Sequence, residues 1–328
     1  MVTVIIPNYN GYTFLKDCLD ALQPQLKQDM QVVVVDNGST DQSRELLESY
    51  EEIYRQKGFL LQNIFLQQNT GFCGAVNAGI KASKTKYVIL LNNDTKVLPG
   101  YIDSLVKAME EDEKIFSASA CMLQMHAPAL VDDAGDEYCA LGWAFARGKD
   151  KPAEAYREPK EVFASCGGAG IYRRAIFAEI GLFDENHFAY LEDIDIGYRA
   201  GIYGYRNIYV PKAKVLHYGS GVSGSRHNAF KVKLSSKNSV YLVWKNMPAV
   251  QLVLNAPFLA AGFLIKYLFF VKKGLGREYR QGFRDGLRLC TAKENRIYKV
   301  GNLGRYFKNY SRLQLLLWRN ILACLRAF

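Results

Sequence analysis

Short runs of apolar, often β-branched residues alternate with longer stretches of helical spacing through the first 122 positions. VTVIIP (2–7), QVVVVD (31–36) and YVILLN (87–92) are such runs, and 59–66 and 115–122 are further strand candidates. Between them, 12–22 places Phe14, Leu15, Cys18, Leu19 and Leu22 on one helical face, and 41–54, 72–82 and 99–111 read as helices too. Strands apolar on both sides and separated by helices predict an α/β fold: a doubly wound, mostly parallel sheet covered on both faces. Ligands of such sheets bind at the strand C-terminal ends. Asn8, Asp36 and the run Asn92-Asn93-Asp94 stand at those ends here. Polar loops are the plain alternative, although three amide or acid groups on one edge favour a site. GxxxxGK[ST] does not occur, and the one GxGxxG string, 219–224, does not open the first strand–turn–helix unit, so a dehydrogenase-type dinucleotide site and a P-loop are unsupported.

Residues 123–225 are less regular. VDDAGD (131–136) reads as a loop or edge. FASCGGAGIYRR (163–174) has three glycines before a basic pair, suited to close approach of backbone to ligand or to a tight bend. A short helix over 175–185 is expected to end at Gly181. YLEDIDIGYRA (190–200) then packs Glu192, Asp193 and Asp195 into four positions. Crowded like charges are costly unless used. On a helix Asp193 shares a face with Gly197, and Glu192 with Asp195. The plain reading is a solvated first helical turn, where acids suit the dipole. His217 ends a strand-like run beside a Gly/Ser segment, 218–225, that suits a mobile lid. A lone histidine is more often structural than a ligand.

Composition changes the picture at the C-terminal end. The 328 residues are 49% hydrophobic and 23% charged, as in a globular protein. Seven cysteines with no CxxC pair predict free thiols in a reducing compartment. The opening MVTV lacks a basic n-region, so no signal peptide is expected. The net charge of +10 is unevenly placed: residues 226–328 hold 20 Lys and Arg against 3 acids, and residues 1–225 hold 22 against 29. Within the basic part, 249–271 is apolar enough to span a bilayer but is interrupted by Gln251, Asn255, Pro257 and Lys266. Lys272, Lys273, Arg277, Arg280, Arg284 and Arg288 follow, and 312–328 is a second apolar stretch with Arg312, Arg319 and Arg326 seven apart. Apolar and cationic faces together predict helices lying on an anionic membrane surface. Burial against the body or in a homodimer is the alternative. A nucleic-acid partner is not expected, because phosphate recognition has no need of such apolar stretches.

Seven segments in order, VIIPNYNG, VVVVDNGSTD, NTGFCGAVNAGI, LLNNDT, GAGIYRRAIFAEIGLFDE, YLEDIDIGYRA and VLHYGSG, resemble glycosyltransferase family 2. The resemblance is greatest to its bacterial rhamnosyltransferase-like branch and covers residues 2 to about 225. It implies a GT-A fold and inverting, metal-dependent transfer from a nucleotide diphosphate sugar. L-rhamnose from dTDP-rhamnose is the best match, with a lipid-linked saccharide as acceptor in surface polysaccharide synthesis. Pro7, Asn8 and Asp36 resemble positions that hold base and ribose, and a carboxylate that accepts an imide N–H favours a pyrimidine. Asn69, Gly71, Asn77 and Asn93 resemble donor-pocket positions. Asp94 matches the last acid of the family's DxD motif, and His217 a histidine that joins the metal in some members. Asp193 matches the general base. Glu192 and Asp195 are assigned to orienting it, binding acceptor hydroxyls or capping.

The DxD positions read Asn92-Asn93-Asp94, so one acid remains. Mg²⁺ or Mn²⁺ would then rely on Asp94, the donor diphosphate, water and His217, and a metal-independent variant stays open. The implied organisation is a GT-A domain over 1–225, with a nucleotide-sugar half (1–122) and an acceptor and catalytic half (123–225). A basic, amphipathic helical region over 226–328 would hold the protein peripherally on the cytoplasmic face of the membrane. The alternatives are transfer from UDP-glucose, UDP-galactose or UDP-N-acetylglucosamine, and a non-catalytic nucleotide-sugar-binding protein.

Overall fold

A computed structural model describes residues 2–219, 228–291 and 303–327, so most of the expected lid, 218–225, lies outside the described residues. The first half alternates as the hydrophobic pattern predicts. β1 (Val2–Asn8), β2 (Met30–Asp36), β3 (Leu60–Phe65) and β4 (Tyr87–Leu91) are joined by α1 (Tyr12–Leu22), α2 (Ser43–Gln56) and α3 (Gly71–Ala82). The four strands pair in parallel in the order β4-β1-β2-β3. Val4 and Ile6 of β1 face one core layer with Leu15 and Leu19 of α1, while Ile5 faces the other with Val76 and Ile80 of α3. That alternation is the strand period at work. Each such buried side chain contributes roughly 1.5–3 kcal/mol. Gly79 lets α3 lie close to the sheet, since a Cβ there would stand 2.4 Å from Ile5 Cγ2.

Beyond β4 the sheet becomes mixed. β5 (Thr95–Val97) and α4 (Tyr101–Glu110) lead to β6 (Ile115–Gln124). β11 (Ala169–Arg173) inserts antiparallel between β4 and β6, and β12 (Arg206–His217) then pairs parallel to β6. The glycine-rich segment, read as a close backbone approach to a ligand or a tight bend, therefore supplies a central strand with its second half. VDDAGD is likewise not a plain loop: β7 (Ala127–Asp133) pairs with β6, and β8 (Asp136–Cys139) forms a hairpin with β9 (Trp143–Ala146). β10 (Lys160–Val162) closes the edge on β12. α5 (Phe177–Ile180) is a single turn ended by Gly181 at φ 82°. All seven cysteines are free.

The basic region is built into the body. α7 (Ala229–Asn246) and α9 (Gly276–Leu289) pack at close range because Gly282 and Gly286 face backbone, where a Cβ would lie 2.1 Å from Lys233 O and 2.5 Å from Lys237 O. α10 (Leu303–Ala327) runs against the acidic helix α6 (Glu192–Tyr203) and β8. Leu242, Leu259, Leu313 and Leu317 share one apolar cluster with Tyr138, Phe163, Ile194 and Tyr198.

α8 (Ala249–Lys272) has an inverted face. Gln251, Asn255, Leu259 and Gly262 point inward, whereas Val253 (74% exposed), Leu264 (56%), Ile265 and Leu268 point outward. Asn255 and Gln314 exchange amide hydrogen bonds of 2.9 and 2.8 Å, and Trp318 Nε1 donates to Asn255 at 3.1 Å. Two of the polar interruptions of the apolar run, Gln251 and Asn255, thus form an interior seam with α10. Among the described residues α8 is one helix long and apolar enough to cross a membrane by length and composition. Two arginines of the α10 row also meet the body: Arg312 pairs with Glu161 at 3.6 Å and donates to Tyr205 O at 3.2 Å, and Arg326 lines a cleft.

Candidate active site

The parallel arrangement of β1, β2 and β4 brings their polar ends together. Asn8 Nδ2 donates to Asp36 Oδ2 at 2.9 Å, and Asn93 Nδ2 donates to Asn8 Oδ1 at 2.7 Å. Asp36 Oδ1 accepts the Ser39 N–H at 3.0 Å. All three side chains are buried, as a preorganised polar network requires. Gly11 is needed beside it, since a Cβ there would fall 1.9 Å from Asn93 Nδ2. Pro7 lies within β1, opposite Val35 of β2.

Asn37, which the sequence reading passed over, organises the next turn. Its amide donates to Asn69 Oδ1 and Gly71 O at 3.0 Å, and its Oδ1 accepts from the Thr70 N–H and hydroxyl at 2.9 Å. Asn69 and Gly71 are therefore fixed on the same edge as Asp36, with Gly71 at φ 77° against Phe188 O. Asn77 lies deeper. It donates to Phe183 O at 2.8 Å and accepts from Phe183 N at 3.1 Å, so its amide secures the segment before α6 instead of facing a pocket.

Asp94 and His217 meet although 123 residues separate them. β12 runs antiparallel to β5, which places His217 opposite Thr95. His217 Nε2 lies 3.3 Å from Asp94 Oδ1, and Nδ1 lies 2.7 Å from Asp132 Oδ2. Burial opposes the imidazolium, but the bonds to Asp132 and Asp94 outweigh it and push the pKa up to about 9. Lys149 also pairs with Asp132. This donor set fits a hard divalent ion: one carboxylate and one imidazole nitrogen side by side, with the other ring nitrogen held by a second carboxylate.

The acids of α6 part company. Asp195 is fully buried and accepts from Arg199 Nε (3.0 Å), Lys245 Nζ (2.9 Å) and Asn246 Nδ2 (2.8 Å). Burial works against its charge, yet Arg199, Lys245 and His187 hold its carboxyl well below the usual carboxylate range. The expectation that Asp195 could bind acceptor hydroxyls is corrected here: it ties α6 to α7. Glu192 is buried with Oε2 unpartnered among the described residues, and burial lifts it to about 7. Asp193 is half-buried, and its Oδ1 accepts the Gly167 N–H at 3.0 Å. Burial, then the Glu192 charge, raise its carboxyl well above the usual range against that bond.

The turn before α6 is strained, with Phe188, Tyr190 and Leu191 at φ 65°, 70° and 66°. Asn238 of α7 clamps it by donating to His187 O (3.0 Å), Ala189 O (2.8 Å) and Tyr190 O (2.7 Å). Asn238 and Lys245 carried no local motif, whereas Asn37 stood inside the VVVVDNGSTD segment, directly after Asp36.

One short turn touches both the Asp193 helix and the strand end before Asp94. Gly167 contacts Asp193, and Gly168 O accepts the N–H of Asn92, two residues before Asp94, at 2.8 Å. A cleft of about 780 Å³ opens alongside, lined by Asn92, Asp132, Asp133, Cys166 and His217 among others. Asp133, Asp136 and the Cys166 thiol have ligand atoms within 4.8 Å of one another. Burial raises both of these carboxyls above the usual carboxylate range.

The profile described as Glycosyl transferase family 2 matches residues 3–181. The N-acetylglucosaminyl-diphospho-decaprenol L-rhamnosyltransferase of Mycobacterium tuberculosis is 27% identical over 256 residues, covering 68% of this chain and 78% of that protein. The crystal structure of S. aureus TarS 1-349 in complex with UDP-GlcNAc superposes with a TM-score of 0.59 at 16% identity, covering 96% of this chain and 90% of that one. GalNAc-T7 with UDP, GalNAc and Mn²⁺ gives 0.60 at 19% identity over 75% of this chain, which spans about half (48%) of that structure. Identities this low speak to the fold, which is GT-A-like. With more than half its length inside the family profile, the chain belongs to glycosyl transferase family 2 and is a glycosyltransferase resembling the rhamnosyltransferases.

Proposed function

We propose that the protein transfers L-rhamnose from dTDP-L-rhamnose, with inversion, onto a lipid-linked saccharide at the cytoplasmic surface of the membrane. The observation that carries this reading is the 167–168 turn, which bonds to Asp193 on one side and to the backbone of Asn92 on the other, beside one cleft. One turn thus ties the helix end that carries Asp193 to the strand end that precedes Asp94, which suits a base and a diphosphate-binding acid serving one displacement at an anomeric carbon. The named rhamnosyltransferase relative supports the sugar and the acceptor class. The outward apolar face of α8 supports a membrane-surface location.

Asp36 already has one bond on each oxygen, and each keeps a lone pair for the imide N–H of thymine. Asn8, held by Asp36 and Asn93, fixes the carboxylate's rotamer. Asp94 and His217 would hold a divalent ion, with Asp132 setting the His217 tautomer. When bound, such an ion supplies Lewis-acid neutralisation of the departing diphosphate. Asp193 is oriented by the Gly167 N–H on one oxygen, which leaves the other to take the proton of the attacking acceptor hydroxyl. A positioned base of this kind contributes about 10²–10⁴-fold. Asp195, Lys245 and Asn238 hold α6 and the turn before it in place. The residue roles and the 1–225 and 226–328 division belong to this proposal.

The test is transfer of labelled rhamnose from dTDP-L-rhamnose to an N-acetylglucosaminyl-diphospho-lipid, with Mg²⁺ or Mn²⁺ present. Asp193→Asn is expected to lose turnover while calorimetric donor binding persists. Near-normal turnover would reject Asp193 as the base. Wild-type activity confined to a UDP-sugar would reject rhamnose.

A further inference from the structure

The C-terminal helix contributes to the 780 Å³ cleft, which Ala323 and Arg326 of α10 line together with His217 and Asn92. Most other cations of this cleft are committed. Lys149 pairs with Asp132, and Lys160 pairs with Glu137 at 3.4 Å. The second oxygen of Glu137 accepts from Asn320 of α10 at 3.0 Å, which pins the helix to the cleft wall. The Arg147 guanidinium lies over the rings of Tyr156 and Tyr209 and donates to Ala134 O at 3.1 Å. Arg326 is exposed and has no hydrogen bond or ion pair among the described residues.

The surroundings of Arg326 have an order. Leu322 and Leu325, on the same helix, are 64% and 62% exposed, and Leu315 and Trp318 continue the apolar strip. A molecule entering from that side meets hydrocarbon-compatible surface, then a guanidinium, then a polar cleft that runs to His217 and Asn92. An amphiphile whose sugar is joined to its lipid through phosphate has the same order of parts.

We propose that Arg326 binds the phosphate linking lipid to sugar in the acceptor, so that α10 forms a wall of the acceptor site. This rests on the reading of the protein as a transferase acting on a lipid-linked saccharide. A guanidinium suits the role because it offers paired donors to phosphate oxygens and is weakly hydrated. Arg326 would be a specificity residue: it distinguishes phosphate-bearing acceptors without touching the reacting atoms.

The experiment uses the full chain in detergent micelles and two synthetic acceptors with the same sugar and alkyl chain. One carries a diphosphate between them, and the other is the plain alkyl glycoside. Binding is measured by calorimetry, and turnover in parallel. Arg326→Gln is expected to raise the Kd of the diphosphate acceptor about tenfold, while the glycoside changes by less than about twofold. Arg326→Lys is expected to fall between, since it keeps the charge but loses the planar fork. Equal weakening for both acceptors, or none for either, would overturn the assignment. Absence of wild-type turnover with both would instead sink the transferase reading, and the binding comparison would still judge Arg326.

Discussion

Replacing Asp195 by Asn is expected to destabilise the fold strongly, because this carboxylate balances two buried cations. Lys245 Nζ lies 2.9 Å from Asp195 and 2.6 Å from Asp184, and Arg199 is spread over Asp195 and the carbonyls of Ile180, Gly181 and Leu182. With Asp195 neutral, one partly exposed acid remains for Lys245 and carbonyls alone for Arg199. Breaking a buried pair in this way costs about 3–5 kcal/mol, a large part of the roughly 5–15 kcal/mol that separates folded from unfolded chains. At about 2 °C per kcal/mol for a large domain, the melting temperature should fall by roughly 6–10 °C. Differential scanning fluorimetry across pH reads it. Because the folded pKa of Asp195 is depressed, its contribution is present above the unfolded carboxylate value, about 3.9, and is lost as pH falls toward the folded one. The gap between wild type and variant should hold from neutral pH to about 5 and narrow below about 4. A drop under about 2 °C at neutral pH, equivalent to ~1 kcal/mol, would refute the view that Asp195 welds α6 to α7.

Three further outcomes are expected. The acid limb of kcat/KM should lie above the ordinary carboxylate range, because burial and Glu192 raise Asp193 and the base works only when ionised. A limb near pH 4 would contradict that environment. Asp94→Ala should weaken donor binding in the presence of Mn²⁺ and flatten the response to EDTA, and an unchanged EDTA titration would count against its metal role. Changing Leu264, Ile265 and Leu268 together to Glu should release the protein from anionic liposomes at unchanged melting temperature, since all three face outward. Full retention on the vesicles would remove α8 from the membrane contact.

The parallel strands were legible because strands buried on both faces leave continuous apolar runs, and the Asn8–Asp36–Asn93 cluster because such strands end on one edge. β11 was not. It carries two small residues among five and lies next to glycines, so its strand character comes from neighbours on both sides and not from its own composition. The partners of Asp195 escaped for a related reason. Lys245 and Asn246 lie some fifty residues on, in a segment whose charge suggested a membrane surface, and no local period links an acid to a base at that distance. α8 misled in the opposite sense. Gln251 and Asn255 interrupt the hydropathy as if facing water, whereas they bond to α10 inside.

This inverted face of α8 turns the usual rule of tolerated exchange upside down. Leu at Asn255 would be conservative on a hydropathy scale, yet it would strand the buried Gln314 amide and take the acceptor from the Trp318 indole N–H. Polar replacements at Val253 would leave the interior intact. Divergent copies of this helix should therefore vary freely among outward aliphatics and guard Gln251, Asn255 and Gln314, so that its heritage is recorded in its few amides and not in its many hydrocarbons.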